Sequence, residues 1–551
     1  FGAQALRANT TGTQNVGVGN SALRANTTGN YNTAVGFEAL ITGTTAERNT
    51  AVGQKALYSN TTGNYNCALG QGALYANTTG SSHVAVGQDA LMSNTTGAEN
   101  VAVGWKALDA NTTASYNVAV GNNALGANST GERNTAVGIN ALSANTTANY
   151  NVAVGQGALG ANTTGGKNTS VGTFSLDSNT TGANNTAVGH DALEGNTTAN
   201  NNTAVGTEAL KANTASNNTA VGQQALKTNS TGAYNTAVGN ESLEFNTTGD
   251  HNTSMGHVAL YANTTGDHNT ALGSNSLAAC TTGNYNTGVG KGSLGGITTG
   301  DYNTAIGREA LLTATTTSGS TAIGYHAAYN SAIDGITAIG MEALKANTTG
   351  VRNTAVGTNA LQASTTSQNC TAVGYRALYT ITDSGPHNTA IGVYSMQVAT
   401  SARSNTAVGD STLALITTGD QNVAMGHNTL GQATTATQNV CIGAGAVGSN
   451  VACGYNISTG NINTLIGSRC GSSLTTGGEN TAVGHQALQA QTTQSESVAF
   501  GAYALRYNTT GQYNTAVGGM SMMDNTTGGT NTAIGYNSLA NNVDADKNTI
   551  V

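Results

Sequence analysis

The residues best suited to chemistry fall at one offset. Five positions before a recurring glycine stand Tyr234, His251, His268, Tyr285 and Tyr302, each 17 residues from the last. Tyr31, Tyr65, Tyr116, Tyr150 and Tyr513 hold the same offset singly. Asp250, Asp267 and Asp301 directly precede three of these rings. Aromatic faces beside carboxylate oxygens suit a sugar, whose ring has an apolar face and whose hydroxyls need acceptors. The same residues also suit a plain ring stack at a corner, held by its own contacts. A cation between Asp250 and Asp267 is a further use of that pair.

Other reactive side chains form no such pattern. The six cysteines, Cys67, Cys280, Cys370, Cys441, Cys453 and Cys470, include no CxxC pair. They read as small buried hydrophobes in unrelated columns. Cys453 and Cys470 are 17 apart, but an irregular stretch between them is expected to spoil their register. Of nine histidines, His190, His257, His427 and His485 sit beside a glycine, and no nucleophile–base–acid set is evident. No Lys follows a glycine-rich turn where a phosphate loop requires it. A polysaccharide-cleaving solenoid needs clustered acids, and none exists beyond Asp250, Asp267 and Asp301.

Composition points the same way. Charged residues are 8% of 551, against roughly 25% in typical soluble domains. Ionisable groups carry most catalysis, so the expectation is not an enzyme, with no cofactor and no metal. A net charge of −8 has the wrong sign for nucleic acid. No run of 18 apolar residues occurs, so no membrane insertion by a helix is expected from this segment.

What must position these residues is a repeat. The signature Asn-Thr-Ala-Val-Gly recurs throughout, with 32 anchor glycines and 31 intervals, 27 of them 17 residues long. The exceptions are 206–222 and 324–340 (16 each), 374–392 (18) and 443–467 (24). The last two are the expected irregular coils. The 24-residue stretch reads as two short coils or as one coil with a loop. The single Pro386 falls in the 18-residue unit, where a bulge admits a residue lacking an N–H. Residues 1–551 thus read as one repeat solenoid, cut in mid-repeat at both ends.

Seventeen residues suit one coil of a parallel β-solenoid (β-roll) with two short strands. Thr, Val and Ile favour strands, while Gly and Asn favour turns. Strand one is expected at Asn32–Val35 and strand two at Ala39–Thr44. The turns are expected at the anchor glycine, such as Gly36, and ten residues later, as at Gly29 and Gly63, where glycine tolerates positive φ. The residue before the anchor is apolar in all 32 turns, and the fourth after it is Leu in 27. These columns, Val35 and Leu40 in one coil, are expected to meet as the core. Alternation then turns Ala34, Ala51, Ala68, Ala85 and Ala102 away from it. A face kept so small and so free of polar variety is expected to pack on a neighbouring chain.

The seventh residue after the anchor is usually Asn, and 17 of these read Asn-Thr-Thr or Asn-Ser-Thr, as at Asn26, Asn60, Asn128 and Asn145. Each is formally a glycosylation site. The structural alternative is an amide ladder between coils. Regular Thr on flat solenoid faces also raises ice binding, but Thr27 and Thr28 are adjacent rather than alternating.

The strand signature, Asn32-Thr33-Ala34-Val35-Gly36 and its variant Asn303-Thr304-Ala305-Ile306-Gly307, resembles the head repeats of trimeric autotransporter adhesins. The full unit is similar to repeat arrays of bacterial and phage tail-fibre proteins. The resemblance implies a left-handed parallel β-roll, a homotrimer, and an extracellular fibre on a cell or virion surface that attaches to surface or matrix glycans. Adhesin head units are shorter than 17 residues, which is the point of departure. An ice-binding or carbohydrate-binding solenoid is the alternative.

Overall fold

The computed structural model describes residues 2–382, 385–445 and 451–551. Among them there is no helix, and 32 short strands recur once per coil. The protein is all-β, a parallel β-solenoid. The chain divides into two compact units, residues 1–271 and 272–551. In the first, β1 (Val16–Val18), β2 (Thr33–Val35), β3 (Thr50–Val52) and their successors to β15 (Thr253–Met255) pair in chain order. In the second, β17 (Thr287–Val289) to β32 (Thr549–Ile550) do the same. β16 (Thr270–Leu272) falls at the division. Pairing is parallel and keeps like opposite like: Thr33 on Thr50, Ala34 on Ala51, Val35 on Val52.

Only one strand forms per coil. The expected second strand, Ala39–Thr44, is a run of turns. The reason lies in the backbone: Glu38 and Leu40 have φ of 56° and 48°, and Tyr31, before the strand, has 59°. Left-handed residues alternating with ordinary ones cannot form a pleat. Their cost, of order 1–3 kcal/mol each, is offset because the turns still bond coil to coil. Leu40 N–H donates to the Ala56 carbonyl at 2.9 Å, and Leu57 N–H to Ala73 at 2.9 Å.

The core also differs from the expected one. Ala34 and Leu40 are fully buried, as are Ala39 and the Asn columns. Thr33 and Val35 flank Ala34 on the strand and both point outward. Val18, Leu69 and Met255 of the Val column are 38%, 47% and 46% exposed. Alternation holds, but the faces are reversed, as a shift of one residue must do. Leu decides the matter. A Cβ on Gly17, which occupies the Ala column, would lie 3.3 Å from the Leu6 Cγ. With Leu filling the narrow coil, the facing strand has room inside only for a methyl group. The Ala column is therefore sealed by its own chain and offers no face to a neighbour.

Glycine is required at the anchor for two reasons. Gly36 has φ of 136°, and a Cβ there would sit 2.4 Å from the Gly53 carbonyl oxygen. At the other corner the expectation of positive φ fails. Gly29 is not left-handed; it is small because the Ala46 carbonyl and Asn26 side chain crowd it. Ala46, Ala114, Ala148 and Ala199 fit the same column.

Length changes are confined. The 16- and 18-residue coils gain or lose residues between the buried Asn213, Ser331 or Ile381 and the next strand. Residues 383–384 of the 18-residue coil lie outside the described residues. Pro386 accepts from Ser404 N–H at 3.1 Å. At its column the N–H elsewhere meets only a side chain, as Asp250 N–H meets Asp267, so proline leaves the backbone ladder intact. In the 24-residue stretch, Val440–Ile442 pairs directly with Thr464–Ile466. It is thus one coil with an insertion, whose residues 446–450 lie outside the described ones.

Candidate functional site

The stripe five before the anchor forms stacks. In the first unit Tyr234, His251 and His268 lie with ring centroids 4.9 Å apart and planes within 2°. In the second, Tyr285 and Tyr302 stack at 5.0 Å and 1°. Each residue is left-handed, which aims every side chain the same way from successive coils. The rings are half-exposed. Two of the single tyrosine pairs prove to be sandwiches. Arg48 lies between Tyr31 and Tyr65, 5.5 and 5.3 Å from the ring centroids. Arg133 lies between Tyr116 and Tyr150 at 5.5 and 5.6 Å and donates to the Tyr150 hydroxyl at 3.0 Å. The sequence held this signal, since each Arg is 17 residues from a Tyr on either side.

The aspartates beside the rings serve the backbone first. Oδ1 of Asp250 accepts from Ala233 N–H, Oδ1 of Asp267 from Asp250 N–H, and Oδ1 of Asp301 from Asn284 N–H, each at 2.6 Å. Asn64 does the same for Glu47 at 2.7 Å. The column selects a short oxygen acceptor, so an acid there is not by itself a sign of binding.

The asparagines form two buried ladders. Asn77 Nδ2 donates to Asn60 Oδ1 and to the Gly80 carbonyl, both at 2.9 Å, and Asn77 Oδ1 accepts from Asn94. In the strand-entry column, Asn49 N–H donates to Asn32 Oδ1 at 3.0 Å. Asn26, Asn60, Asn128 and Asn145 are fully buried, so these sequons are closed in the folded chain. Thr27 spends its hydroxyl on the Thr44 carbonyl at 3.0 Å, while Thr28 is exposed.

His83 takes an Asn place in the strand-entry ladder. Its Nδ1 accepts from Asn100 N–H at 3.2 Å, and its Nε2 bonds the Gly97 carbonyl at 2.7 Å. This fixes the neutral tautomer with the proton on Nε2. Burial lowers its pKa below the ordinary value.

Cys453 and Cys470, expected to be out of register, share a column. Leu430 N–H bonds the Cys453 carbonyl and Gly454 N–H bonds the Cys470 carbonyl, which is the pattern of the Ala-Leu pair in ordinary coils. Gly454 and Gly471 thus replace Leu, and the space goes partly to Leu465 in the Ala column: a Cβ on Gly471 would meet its Cδ1 at 2.8 Å. The Cys453 thiol lies against those of Cys441 and Cys470. These contacts, with burial, raise the pKa of Cys453 and Cys470 well above the ordinary value. All described cysteines are free thiols.

No family model matches the chain, and no curated protein matches it.

Proposed function

We propose that this chain is a segment of an extracellular structural and adhesive fibre, non-catalytic, self-associating as a homotrimer, and displayed on a cell or virion surface. One observation carries the reading: the outward face of the strands. It consists of Thr, Val or Cys at one position and Val, Ile, Leu, Met or Phe at the other, with no charge in any strand. Soluble monomers seldom expose contiguous apolar patches beyond a few hundred Å², and a ladder of half-exposed Val, coil after coil, invites a second copy. The likeness to adhesin head repeats and tail-fibre arrays supports the same reading. Native mass spectrometry of the parent and of Val35→Lys/Val52→Lys/Val86→Lys tests it. Three chains are expected for the parent and dissociation for the variant, with β-structure retained by circular dichroism. A monomeric parent sinks the self-association.

A second reading, docking of surface or matrix glycans, is favoured by the flat ring stacks. A third use of the outward strand face is ice binding. It draws on the Thr that opens 23 of the 32 strands and is tested by thermal hysteresis of the parent.

A further inference from the structure

A ring inside a stack has little to offer a ligand. At 4.9 Å between centroids each ring covers its neighbour's face, and nothing can enter between them. Only a terminal ring facing an empty column has a free face, and Tyr302 meets that condition. Tyr285 covers one side of it, while the next two coils carry Gly319 and Gly335 in the same column. Gly319 N–H bonds the Asp301 carbonyl at 2.9 Å and Gly335 N–H bonds Ser318 at 3.0 Å, which fixes their register. A Cβ on either glycine would meet nothing within 4 Å. Tyr302 is accordingly 65% exposed, against 49–57% for Tyr31, Tyr65, Tyr116, Tyr150, Tyr234, Tyr285 and Tyr513 in this column. The opening spans about two coil spacings of roughly 4.8 Å.

The surroundings change at the same two coils. Ala314 and Ser331 interrupt one Asn ladder, and Ser320 and Ile336 the other. A cavity of about 450 Å³ lies there, lined by Thr316, Ala332, Ile333, Asp334, Val351 and Arg352. Thr317, beside Thr316, is 1% exposed, and its hydroxyl has no partner. Asp334 gives Oδ1 to Ser318 N–H at 2.8 Å, and Arg352 closes the column on the third coil. An apolar ring face, carboxylates and a guanidinium around a space of this size match one pyranose.

We infer that the free face of Tyr302, with Asp334 and Arg352 beyond it, docks a single neutral hexopyranose at the end of a glycan. This deepens the adhesive reading and rests on it. The sugar stacks its apolar face on Tyr302 and turns hydroxyls to the Asp301 and Asp334 carboxylates and to Arg352.

The test is saturation-transfer NMR on the 551-residue chain, using methyl glycosides of glucose, galactose, mannose and N-acetylglucosamine. At least one is expected to bind. Its affinity should fall at least tenfold in Tyr302→Ala and in Gly319→Asn, which covers the ring face with a residue that tolerates positive φ. Tyr65→Ala is the control and should bind as the parent does. Circular dichroism confirms that each variant folds. Binding that survives both substitutions overturns this site but leaves the adhesive fibre standing. No transfer from any of the four glycosides overturns the inference, while the fibre reading is judged separately by its oligomeric state.

Discussion

At the residue scale, what matters is whether a polar group buried in a coil has its partners. Asn77 makes bonds to the coil before, to its own coil and to the coil after. Asn77→Ala strands the Asn60 oxygen and the Asn94 amide, each at about 1–3 kcal/mol. Hydrogen exchange should show faster opening of the coils that hold Asn60 and Asn94, with exposed Thr79→Ala as a silent control. His83 answers to pH. Its folded pKa lies below the ordinary value near 6.5, so the unfolded chain binds the proton more readily. Its contribution is complete above pH 6.5 and declines as the pH falls below that toward the folded value. Protonation also destroys the Nδ1 acceptor that Asn100 uses. The coils around His83 should therefore open more readily at pH 5.5 than at 7.5, and His83→Asn should abolish that local difference. The thiols differ in access. Half-buried Cys67 should react with an aromatic disulfide reagent in the native protein, and Cys453 and Cys470 only after unfolding.

At the scale of the element, side-chain branching sorts the two apolar columns. The column before the anchor is rich in Val and Ile because it lies in a strand. The fourth position after the anchor is Leu, with Ala328, Met396, Met522, Gly454 and Gly471 as substitutes, because it is left-handed. β-Branched residues tolerate that conformation poorly. Leu74→Met should cost under about 1.5 kcal/mol. Leu74→Ile should cost clearly more despite its equal volume, and equal costs in denaturant titration would remove the argument. The clue was present in the sequence, in the segregation of Leu from Val, but reading it means joining branching to the sign of φ. Amphipathic reasoning instead put the bulkier strand residue inside and assigned a second strand. The period, the parallel stacking and the ring stripe were legible, since each needs only a count of 17. The shared column of Cys453 and Cys470 was not, because the insertion hides the register that the Gly454–Cys470 backbone bond restores. Nor was the free face of Tyr302, which depends on a glycine one coil away.

For the whole molecule, stability is a sum of like terms between neighbouring coils, so damage should stay local. Leu57→Asp/Leu74→Asp/Leu91→Asp buries three unpaired charges. It should open the coils around them while strands β9 (Val152–Val154) and β10 (Thr169–Val171) keep their exchange protection. Global loss of protection would mean the coils are coupled far beyond nearest neighbours. The like-on-like register carries a genetic consequence as well. Each coil presents the next with nearly the same surface it received, so adding or deleting a whole repeat leaves every junction chemically familiar. Unequal recombination within the gene can change copy number in steps of one repeat without crossing a misfolded intermediate. What it does alter is the order of side chains displayed in the ring column, so a copying error that is silent for the fold rewrites the pattern a partner meets.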